Sequence, residues 1–310
     1  MLVTGASGFV GARVVSLALR RGYSVTALVR PATDVRRLAP FAHDVEIVSA
    51  DIADSNALQR VVTRLRPRAC VHLAAAGAVV RADDLQTLLA VNAEAPATLA
   101  AALGRVGAEC LVTAGSSSEY GPVDGRMEET LPALPADAYG VTKLAGGLLA
   151  ALTGARYGLA TAHLRLFSVY GPGEDPRRLV AAVVDSVLAG RPIALTPGAQ
   201  VRDFVYVDDV AEALLAAVDR AAVDGITINI GTGVETTVRD VCHMIADLLG
   251  GHELLRFGDR PYRSGERFHW RASTDRATKL LGWRARTSLS AGLAATVAES
   301  CAEPLVRSAA

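Results

Sequence analysis

Thr4-Gly5-Ala6-Ser7-Gly8-Phe9-Val10-Gly11 is a glycine-rich sequence between an apolar start and an apolar helical pattern. Met1-Leu2-Val3 predicts a short strand, and Val10, Val14 and Leu17 fall on one face of the helix that follows. A strand that turns through glycines into a helix N-terminus presents free backbone N–H groups and the positive end of the helix dipole to an anion. The G-x-x-G-x-x-G spacing is one residue longer than the commoner dinucleotide fingerprint. Its place between strand and helix favours a dinucleotide site over a turn without a ligand.

Length and charge limit the class of protein. The chain has 310 residues, enough to bury a large core and to divide into two lobes. Its 32 basic and 32 acidic residues give a formal charge of zero, so bulk charge recruits neither nucleic acid nor an anionic membrane. No apolar run reaches the roughly 20 residues of a membrane span. We therefore expect no nucleic-acid partner and no membrane partner.

The cysteines and histidines indicate a reducing compartment and no metal site. The four cysteines are widely spaced without a C-x-x-C pair, and Cys70 and Cys110 lie in apolar, strand-like runs. The six histidines are scattered and make no ligand pair at helical spacing. The glycine-rich sequence begins so early that no room is left for a cleavable targeting segment. The expected location is the cytoplasm.

Strands and helices alternate through the first half of the sequence. Apolar and β-branched runs predict strands at Ser24–Val29, Val45–Val48, Cys70–Leu73 and Cys110–Thr113. Helical patterns separate these runs, the longest at Asp84–Leu103. The alternation predicts an α/β fold, a doubly wound parallel sheet of the Rossmann type with helices on both faces.

The end of the second predicted strand meets the adenosine ribose in a dinucleotide fold. An acidic residue there binds the 2′-hydroxyl of NAD, but this sequence has Val29-Arg30 and no carboxylate before Asp34. Because an arginine pairs well with a 2′-phosphate, Arg30 favours NADP(H), with NAD as the alternative. After the third strand, Asp51-Ile52 is expected to contact the adenine, although Asp51 could equally cap the next helix.

Small residues follow the fourth predicted strand. Leu73 leads into Ala74-Ala75-Ala76-Gly77, where small side chains let a flat cofactor lie against the backbone or let a helix pack closely on the sheet. On the next helix, Asn92 lies on an apolar face, and a buried Asn needs hydrogen-bond partners. It could tie that helix to the site or satisfy a backbone carbonyl. The cofactor-binding residues assigned here are Gly5, Ser7, Gly8, Phe9, Val10, Gly11, Arg30, Asp51, Ile52, Leu73, Ala74, Ala75 and Asn92.

Candidate catalytic residues follow the fifth strand. Ser116-Ser117-Ser118-Glu119-Tyr120-Gly121 lies at the carboxyl edge of the predicted sheet, where open α/β folds bind ligands. A helix that starts at Asp137 carries Tyr139 and Lys143 on one face, at i and i+4. A tyrosine with its ordinary pKa near 10 is a poor base at neutral pH, and a nearby ammonium lowers that pKa. A serine hydroxyl can hold the same substrate oxygen and relay the proton.

With these motifs in this order, the chain resembles the extended short-chain dehydrogenase/reductase family, which holds NAD(P)-dependent nucleotide-sugar epimerases, dehydratases and ketoreductases. The resemblance implies that Tyr139 is the acid/base, and that Lys143 binds the nicotinamide ribose and tunes Tyr139, so both also count as cofactor-binding residues. Ser116 would orient the substrate oxygen, since the family's catalytic hydroxyl usually stands four residues before the Tyr-Gly pair. Ser117 is the fallback for that role and otherwise a substrate contact. The motifs that carry the resemblance are Thr4–Gly11, His72-Leu73-Ala74-Ala75, Asn92, the serine cluster and Tyr139/Lys143.

The resemblance extends into the second half of the chain. Ser168 stands where similar proteins often have an Asn that faces the substrate phosphates, and Arg202 and Arg263 resemble arginines that bind the diphosphate of a sugar nucleotide. A Rossmann domain would cover residues 1–166, with 201–232 returning to it. A smaller C-terminal α/β substrate lobe would cover residues 167–200 and 233–305. The expected partners are a nucleotide-diphosphate sugar and a second copy of the chain, paired through the helices around Asp84–Leu103 and Asp137–Leu152.

Reduction, epimerisation and dehydration are all found in such a family. Its dehydratases carry an Asp-Glu or Ser-Glu pair right after the catalytic hydroxyl, where this chain has Ser117-Ser118, and Glu119 is one position late and should point elsewhere. Arg30 and the Ser-Ser-Ser-Glu-Tyr-Gly sequence favour an NADPH-dependent reductase of a nucleotide-diphosphate 4-keto-6-deoxy sugar, with hydride transfer at C4 and Tyr139 as acid. The alternative is an NAD-dependent nucleotide-sugar 4-epimerase. A non-catalytic dinucleotide-binding sensor is disfavoured, because a sensor does not need a tuned phenol.

Overall fold

The first 166 residues alternate strands and helices, as the sequence pattern predicts. The computed structural model describes residues 1–77, 84–123, 125–220, 225–263 and 265–302. The strands are β1 (Leu2–Thr4), β2 (Val25–Val29), β3 (Val45–Ser49), β4 (Ala69–His72), β5 (Cys110–Ser116), β6 (Gly125–Met127), β7 (Ala160–Leu166), β8 (Ser168–Tyr170), β9 (Ile193–Leu195), β10 (Val201–Arg202), β11 (Phe204–Tyr206), β12 (Ile226–Ile230), β13 (Thr236–Thr237), β14 (Leu255–Phe257) and β15 (Trp270–Ala272). The α-helices are α1 (Phe9–Arg20), α2 (Ser55–Leu65), α3 (Leu85–Leu88), α4 (Ala95–Arg105), α5 (Ala138–Tyr157), α6 (Leu179–Leu188), α7 (Val207–Asp219), α8 (Val238–Leu249) and α9 (Leu289–Ala302).

Seven strands form one parallel sheet in the order β3-β2-β1-β4-β5-β7-β12. The chain order reverses between β1 and β4, which is the switch point at which such sheets bind ligands outside their carboxyl ends. The register pairs Thr4 at the end of β1 with Leu28 and with His72. The predicted doubly wound parallel sheet is confirmed.

Alternating side chains along each strand bury opposite faces of this sheet. Val3 of β1 and Val71 of β4 pack on the side of α1 and α7, whereas Leu2 and Cys70 pack on the side of α2 and α4. Both faces of the central strands are covered, so β1, β2 and β4 are mostly apolar, as parallel strands usually are. Helix α7 returns the chain to the sheet before β12 adds the outermost strand beside β7.

Short paired strands and three helices form the smaller lobe. The pairs are β8 with β11, β9 with β14, β10 with β13, and β6 with β15. Helices α6, α8 and α9 pack against one another beside them. This agrees with the predicted lobe, although the exact division of the chain stays a prediction and its limit at residue 305 lies outside the described residues. Neither α9 nor the β6–β15 pair was predicted.

One buried carboxylate connects the two lobes. Asp203 is fully buried and accepts hydrogen bonds from the N–H groups of Thr232 (2.7 Å), Gly233 (2.8 Å) and Ala272 (3.0 Å). Its oxygen also accepts from the Thr232 hydroxyl at 2.7 Å. Because Asp203 follows Arg202 directly, the same contacts fix the backbone of a predicted substrate residue.

The long helix predicted at Asp84–Leu103 is present in three parts. Helix α3 is followed by a π-helical segment (Leu89–Glu94) and then by α4. By length and composition alone, Leu85–Arg105 could cross a membrane, so the expectation that no apolar run reaches that length does not hold for this stretch. Half of this stretch is buried inside the protein, as in a core helix, so it is weak evidence for a membrane span.

Candidate active site

The glycine turn between β1 and α1 leaves a cradle at the switch point. Gly5 has φ +64°, and a Cβ there would lie 2.6 Å from the backbone nitrogen of Ala74. A Cβ on Gly11 would lie 2.1 Å from the carbonyl oxygen of Gly5. Gly8 precedes α1, has no side chain to cap it, and the first helical turn carries no acidic residue. The predicted residues of this turn, Gly5, Ser7, Gly8, Phe9, Val10 and Gly11, therefore fit a pyrophosphate held by backbone N–H groups.

The segment after β4 lies against this turn. Thr4 Oγ1 lies 2.7 Å from His72 Nδ1 and also accepts from the N–H of Ala74 at 3.4 Å. Burial lowers the pKa of His72 to about 3, so its imidazole is neutral. The predicted residues Leu73, Ala74 and Ala75 thus form the second wall of the cradle, opposite the glycines.

Asn92 ties the cofactor side of the site to the catalytic helix. Its Oδ1 accepts from the N–H of Ala76 at 2.9 Å, and its Nδ2 donates to the Ala76 carbonyl at 3.0 Å and to Thr142 Oγ1 on α5 at 3.1 Å. Asn92 is 1% exposed and lies in the π-helical segment, a geometry often found at functional sites. Its direct contact with a cofactor stays a prediction.

The predicted adenosine end carries Arg30 after β2, with Asp34 and Asp51 nearby in the described residues. Arg30 follows β2 and is exposed, without a side-chain partner in the described parts of the chain. Asp34 is taken up by Arg36, whose Nε donates to it at 2.7 Å. Beyond β3, Asp54 caps α2 and Asp51 instead accepts from the N–H of Ala53 at 2.9 Å, so the capping alternative for Asp51 is wrong. The predicted adenine contact of Asp51 and Ile52 stays a prediction.

Arg37 lies between the glycine turn and the smaller lobe and was not predicted as a site residue. Arg37 donates to the carbonyl of Ser7 at 3.4 Å and to the carbonyl of Gly173 at 2.8 Å. It lies on a single 3₁₀ helix (Arg36–Phe41) soon after β2. The Arg36-Arg37 pair so close to the end of β2 was the signal that could have revealed it.

The three predicted catalytic residues meet at the carboxyl edge of the sheet. Ser116 is the last residue of β5, and Tyr139 and Lys143 lie on α5, which Asp137 caps by accepting from the N–H of Gly140 at 2.7 Å. The Ser116 hydroxyl lowers the pKa of the Tyr139 phenol. Lys143 is 5% exposed, so its ammonium is almost removed from water.

Burial dominates the protonation of these groups. It raises the pKa of Tyr139 to about 12, with a further rise from the negative charge of Glu119 and opposing effects from Arg178 and the Ser116 hydroxyl. Burial lowers the pKa of Lys143 to about 8, and the charge of Glu119 opposes that change. At neutral pH the phenol is therefore protonated and the lysine carries its charge. The predicted tuning of Tyr139 by Lys143 stays a prediction.

A second missed arginine acts on the phenol. Arg178 precedes α6, and its positive charge lowers the pKa of Tyr139. Its Nε donates to Glu174 at 2.7 Å, and Glu174 is 3% exposed. Burial raises the pKa of this carboxyl to about 7 against the opposing charge of Arg178. The Arg-Arg pair six residues beyond Gly171-Pro172 was the available signal.

The predicted substrate residues lie in separate places, one after β5 and the others beyond residue 166. Ser117 is buried beside Ser116, and Ser168 begins β8 and donates its N–H to the Asp203 carbonyl at 3.0 Å. Arg202 forms an ion pair with Glu266 and donates to the Arg267 carbonyl at 2.9 Å. Arg263 is exposed, and the structure places Arg267 rather than Arg263 near Arg202. Both arginines face the indole of Trp270, at 5.6 Å for Arg202 and 4.6 Å for Arg267.

No cluster of three or more His, Cys, Asp or Glu side chains suited to a metal ion occurs among the residues that the structure describes. The candidate site consists of a glycine turn suited to a dinucleotide and a Ser-Tyr-Lys group, with Arg178 close enough to the phenol to lower its pKa. A model of the NAD dependent epimerase/dehydratase family matches residues 1–231. The chain belongs to that family. It is an NAD(P)-dependent enzyme of the extended short-chain dehydrogenase/reductase type, as the resemblance implied.

Relatives match nearly the whole chain. The chain is 34% identical over 306 residues to UDP-glucose 4-epimerase from Mycolicibacterium smegmatis, with 96% of each chain covered. Its structure is similar to that of MoeE5 in complex with UDP-glucuronic acid and NAD, with 33% identity, a TM-score of 0.86 and coverage of 97% of this chain and 98% of that one. It is also similar to UDP-glucose 4-epimerase from Thermotoga maritima with UDP-glucose, with 28% identity, a TM-score of 0.89 and the same coverage. These relatives support the 4-epimerase alternative better than the preferred 4-ketoreductase, and they do not support NADP over NAD.

Proposed function

We propose that this enzyme interconverts the C4 epimers of a nucleotide-diphosphate sugar. The observation that carries the proposal is the meeting of Ser116, Tyr139 and Lys143 beside the glycine cradle, in a fold shared over 97% of the chain with a UDP-glucose 4-epimerase. The position of Glu119 also argues against dehydration. Its carboxylate is fully buried and accepts from the Ser116 N–H at 2.7 Å, so it points away from the cleft.

The side chains of the site divide the proton transfer among them. A bound nicotinamide dinucleotide would supply reversible hydride transfer. Once its own proton has left to solvent, the Tyr139 phenolate takes the proton from the sugar 4-hydroxyl and later returns it, with Ser116 holding the same oxygen. The positive charge of Arg178 lowers the pKa of Tyr139 and so favours the phenolate, and the charge of Lys143 on the same helix face would act in the same direction.

A second candidate is the NADPH-dependent 4-ketoreductase. Its support is the raised pKa of Tyr139, about 12, which keeps the phenol protonated at neutral pH. A protonated phenol is ready to donate to a 4-keto oxygen, whereas epimerisation must first remove a proton from a hydroxyl. Arg30 is the other residue that favours this candidate.

Turnover without added reductant separates the two reactions. The purified enzyme should release NAD on denaturation and convert UDP-glucose or UDP-glucuronic acid to its C4 epimer with no cofactor added. Tyr139→Phe should keep the bound dinucleotide and lose turnover. Loss of NADPH absorbance with a 4-keto sugar nucleotide, with no interconversion of epimers, would instead establish the reductase.

We propose that the cofactor site accepts NADP as well as NAD. Arg30 has no side-chain partner in the described part of the chain and Asp34 is paired with Arg36, so a 2′-phosphate at the end of β2 would meet a free guanidinium. The Arg30→Ala variant should bind NADP more weakly, because an exposed ion pair with the 2′-phosphate contributes roughly 1 kcal/mol. Its affinity for NAD, which lacks that phosphate, should stay within about twofold. Fluorescence titration with the two cofactors measures both affinities. Equal losses for NAD and NADP would contradict this assignment.

We also propose a homodimer formed through α5 and the helices beside it. Leu148 is 56% exposed and Leu152 is 65% exposed on α5, next to the exposed Leu89. Such an apolar face on one helix favours contact with a second copy. Light scattering at micromolar concentration should give a dimer, and a Leu148→Glu/Leu152→Glu variant should give a monomer. A monomeric wild type would contradict the proposal.

A further inference from the structure

A buried carboxylate lies directly beneath the catalytic serine. Glu119 belongs to a one-turn 3₁₀ helix (Ser117–Tyr120) that follows β5, and its side chain is 0% exposed. Its Oε1 accepts from the N–H of Ser116 at 2.7 Å, while Ser116 Oγ accepts from the N–H of Ser118 at 3.1 Å. These reciprocal bonds form a capping box, which fixes the backbone of Ser116 as the strand ends.

Two side chains of the neighbouring strand β7 hold this carboxylate. His163 Nε2 lies 3.0 Å from Oε1 and 3.1 Å from Oε2, and Arg165 Nε donates to Oε2 at 2.7 Å. Gly115 leaves the space for them, because a Cβ there would lie 2.4 Å from His163 Nε2 and 2.6 Å from Glu119 Oε1. The Arg165 guanidinium also lies 4.4 Å over the ring of Tyr120, so the group is packed as well as hydrogen-bonded.

The carboxylate remains ionised in spite of its burial. His163 and Arg165 hold the pKa of Glu119 near 2, well below its ordinary value. Its negative charge raises the pKa of Tyr139 and the pKa of Lys143. The charged or titratable groups that face it are His163 and Arg165 from β7, Tyr120 from its own turn, and Tyr139 and Lys143 from α5, with the neutral His72 of β4 beyond Lys143.

We propose that Glu119 is a positioning residue, whose carboxylate fixes Ser116 in the site and sets the electrostatic field at Tyr139 and Lys143 without touching the substrate. The inference rests on the proposed function, since it assigns the support of the same acid–base group. Glu119, which stands one position later than the acid of the family's dehydratases, would then have a role other than dehydration.

Two variants separate the charge of Glu119 from its hydrogen bond. Glu119→Gln keeps an oxygen that can accept from Ser116 but removes the charge, whereas Glu119→Asp keeps the charge but shortens the reach. Lys143 and Lys279 are the only lysines in the sequence, so protein labelled with ¹⁵N-lysine gives two side-chain Nζ signals in NMR. The Lys279→Met variant shows which of the two belongs to Lys143. The titration midpoint of Lys143 should move to lower pH by about one unit in Glu119→Gln and stay near wild type in Glu119→Asp.

An unchanged Lys143 midpoint in Glu119→Gln would overturn the inference. If that variant does not fold because Arg165 is left unpaired, Glu119→Gln/Arg165→Met removes both charges and undergoes the same titration. In turnover assays, Glu119→Asp should lower kcat by about tenfold with little change in KM, because Ser116 is less well held. A raised KM with unchanged kcat would overturn the positioning of Ser116. The lysine titration needs no turnover, so an inactive wild type would overturn the proposed function alone.

Discussion

Replacing Lys143 by methionine should stabilise the folded protein at neutral pH while it removes a catalytic residue. Lys143 is 5% exposed, and burial lowers its pKa from the ordinary 10.5 to about 8. Below pH 8 the lysine is charged in both the folded and the unfolded chain, so folding must remove a charged ammonium from water. A difference of about 2.5 pKa units at 1.36 kcal/mol each corresponds to a cost of about 3 kcal/mol in the free energy of unfolding.

The sign of this effect gives a distinctive dependence on pH. The lysine pKa is depressed in the folded state, so the unfolded chain binds more protons between pH 8 and 10.5 and the stability contributed by Lys143 rises with pH there. Urea unfolding should show Lys143→Met more stable than wild type by up to about 3 kcal/mol at pH 7. That advantage should shrink by about 2 kcal/mol at pH 10, where the folded lysine is neutral.

Lys279 provides the matched control, because it is the other lysine of the chain and is exposed. Lys279→Met should change neither the stability difference between pH 7 and pH 10 nor the turnover. Lys143→Met should lose turnover at both pH values. A stability advantage of Lys143→Met that is the same at pH 7 and pH 10 would refute the reasoning. The pKa of Lys143 would then be the same in the folded and the unfolded chain.

Three further changes test other parts of the structure. The pKa of Glu174 is raised to about 7, so the stability that it contributes below pH 4.5 is lost as the pH rises through 7. The free energy of unfolding of Glu174→Gln relative to wild type should therefore be higher at pH 8 than at pH 5, by up to about 3 kcal/mol, as measured by thermal unfolding. Asp203→Ala leaves three buried N–H groups without their acceptor and should cost about 3 to 5 kcal/mol in urea unfolding, with a smaller loss for Asp203→Asn, which keeps one acceptor oxygen. Gly11→Ala places a methyl group 2.1 Å from the Gly5 carbonyl and should abolish dinucleotide binding in a fluorescence titration, whereas unchanged affinity would exclude the glycine turn as the cofactor site.

The sequence was sufficient for the sheet and for the place of the site. Parallel strands end at a common edge, so residues after β1, β4 and β5 had to meet there, however far apart they are in sequence. The same rule brought Gly5, Ala74 and Ser116 to one cleft.

The sequence could not show what lies under or across that edge. Glu119 is buried, and its partners His163 and Arg165 follow 44 and 46 residues later in the sequence. Their approach depends on the register of β7 against β5, which pairs Gly115 with Arg165. Arg178 likewise reaches the phenol only because the smaller lobe packs over the site. Register and lobe packing are tertiary properties, and local patterns do not encode them.

Local sequence patterns also do not decide between an epimerase and a reductase. Ser116, Tyr139 and Lys143 move a proton in either direction, so the group itself serves both reactions. An epimerase must keep its dinucleotide through both hydride transfers, whereas a reductase exchanges it in every cycle. Arg37 spans the two sides of the cofactor site by joining the Ser7 carbonyl of the glycine turn to the Gly173 carbonyl of the smaller lobe. A dinucleotide bound between these segments would meet that link on release, so its retention, and with it the choice between the two reactions, depends on how readily the link opens.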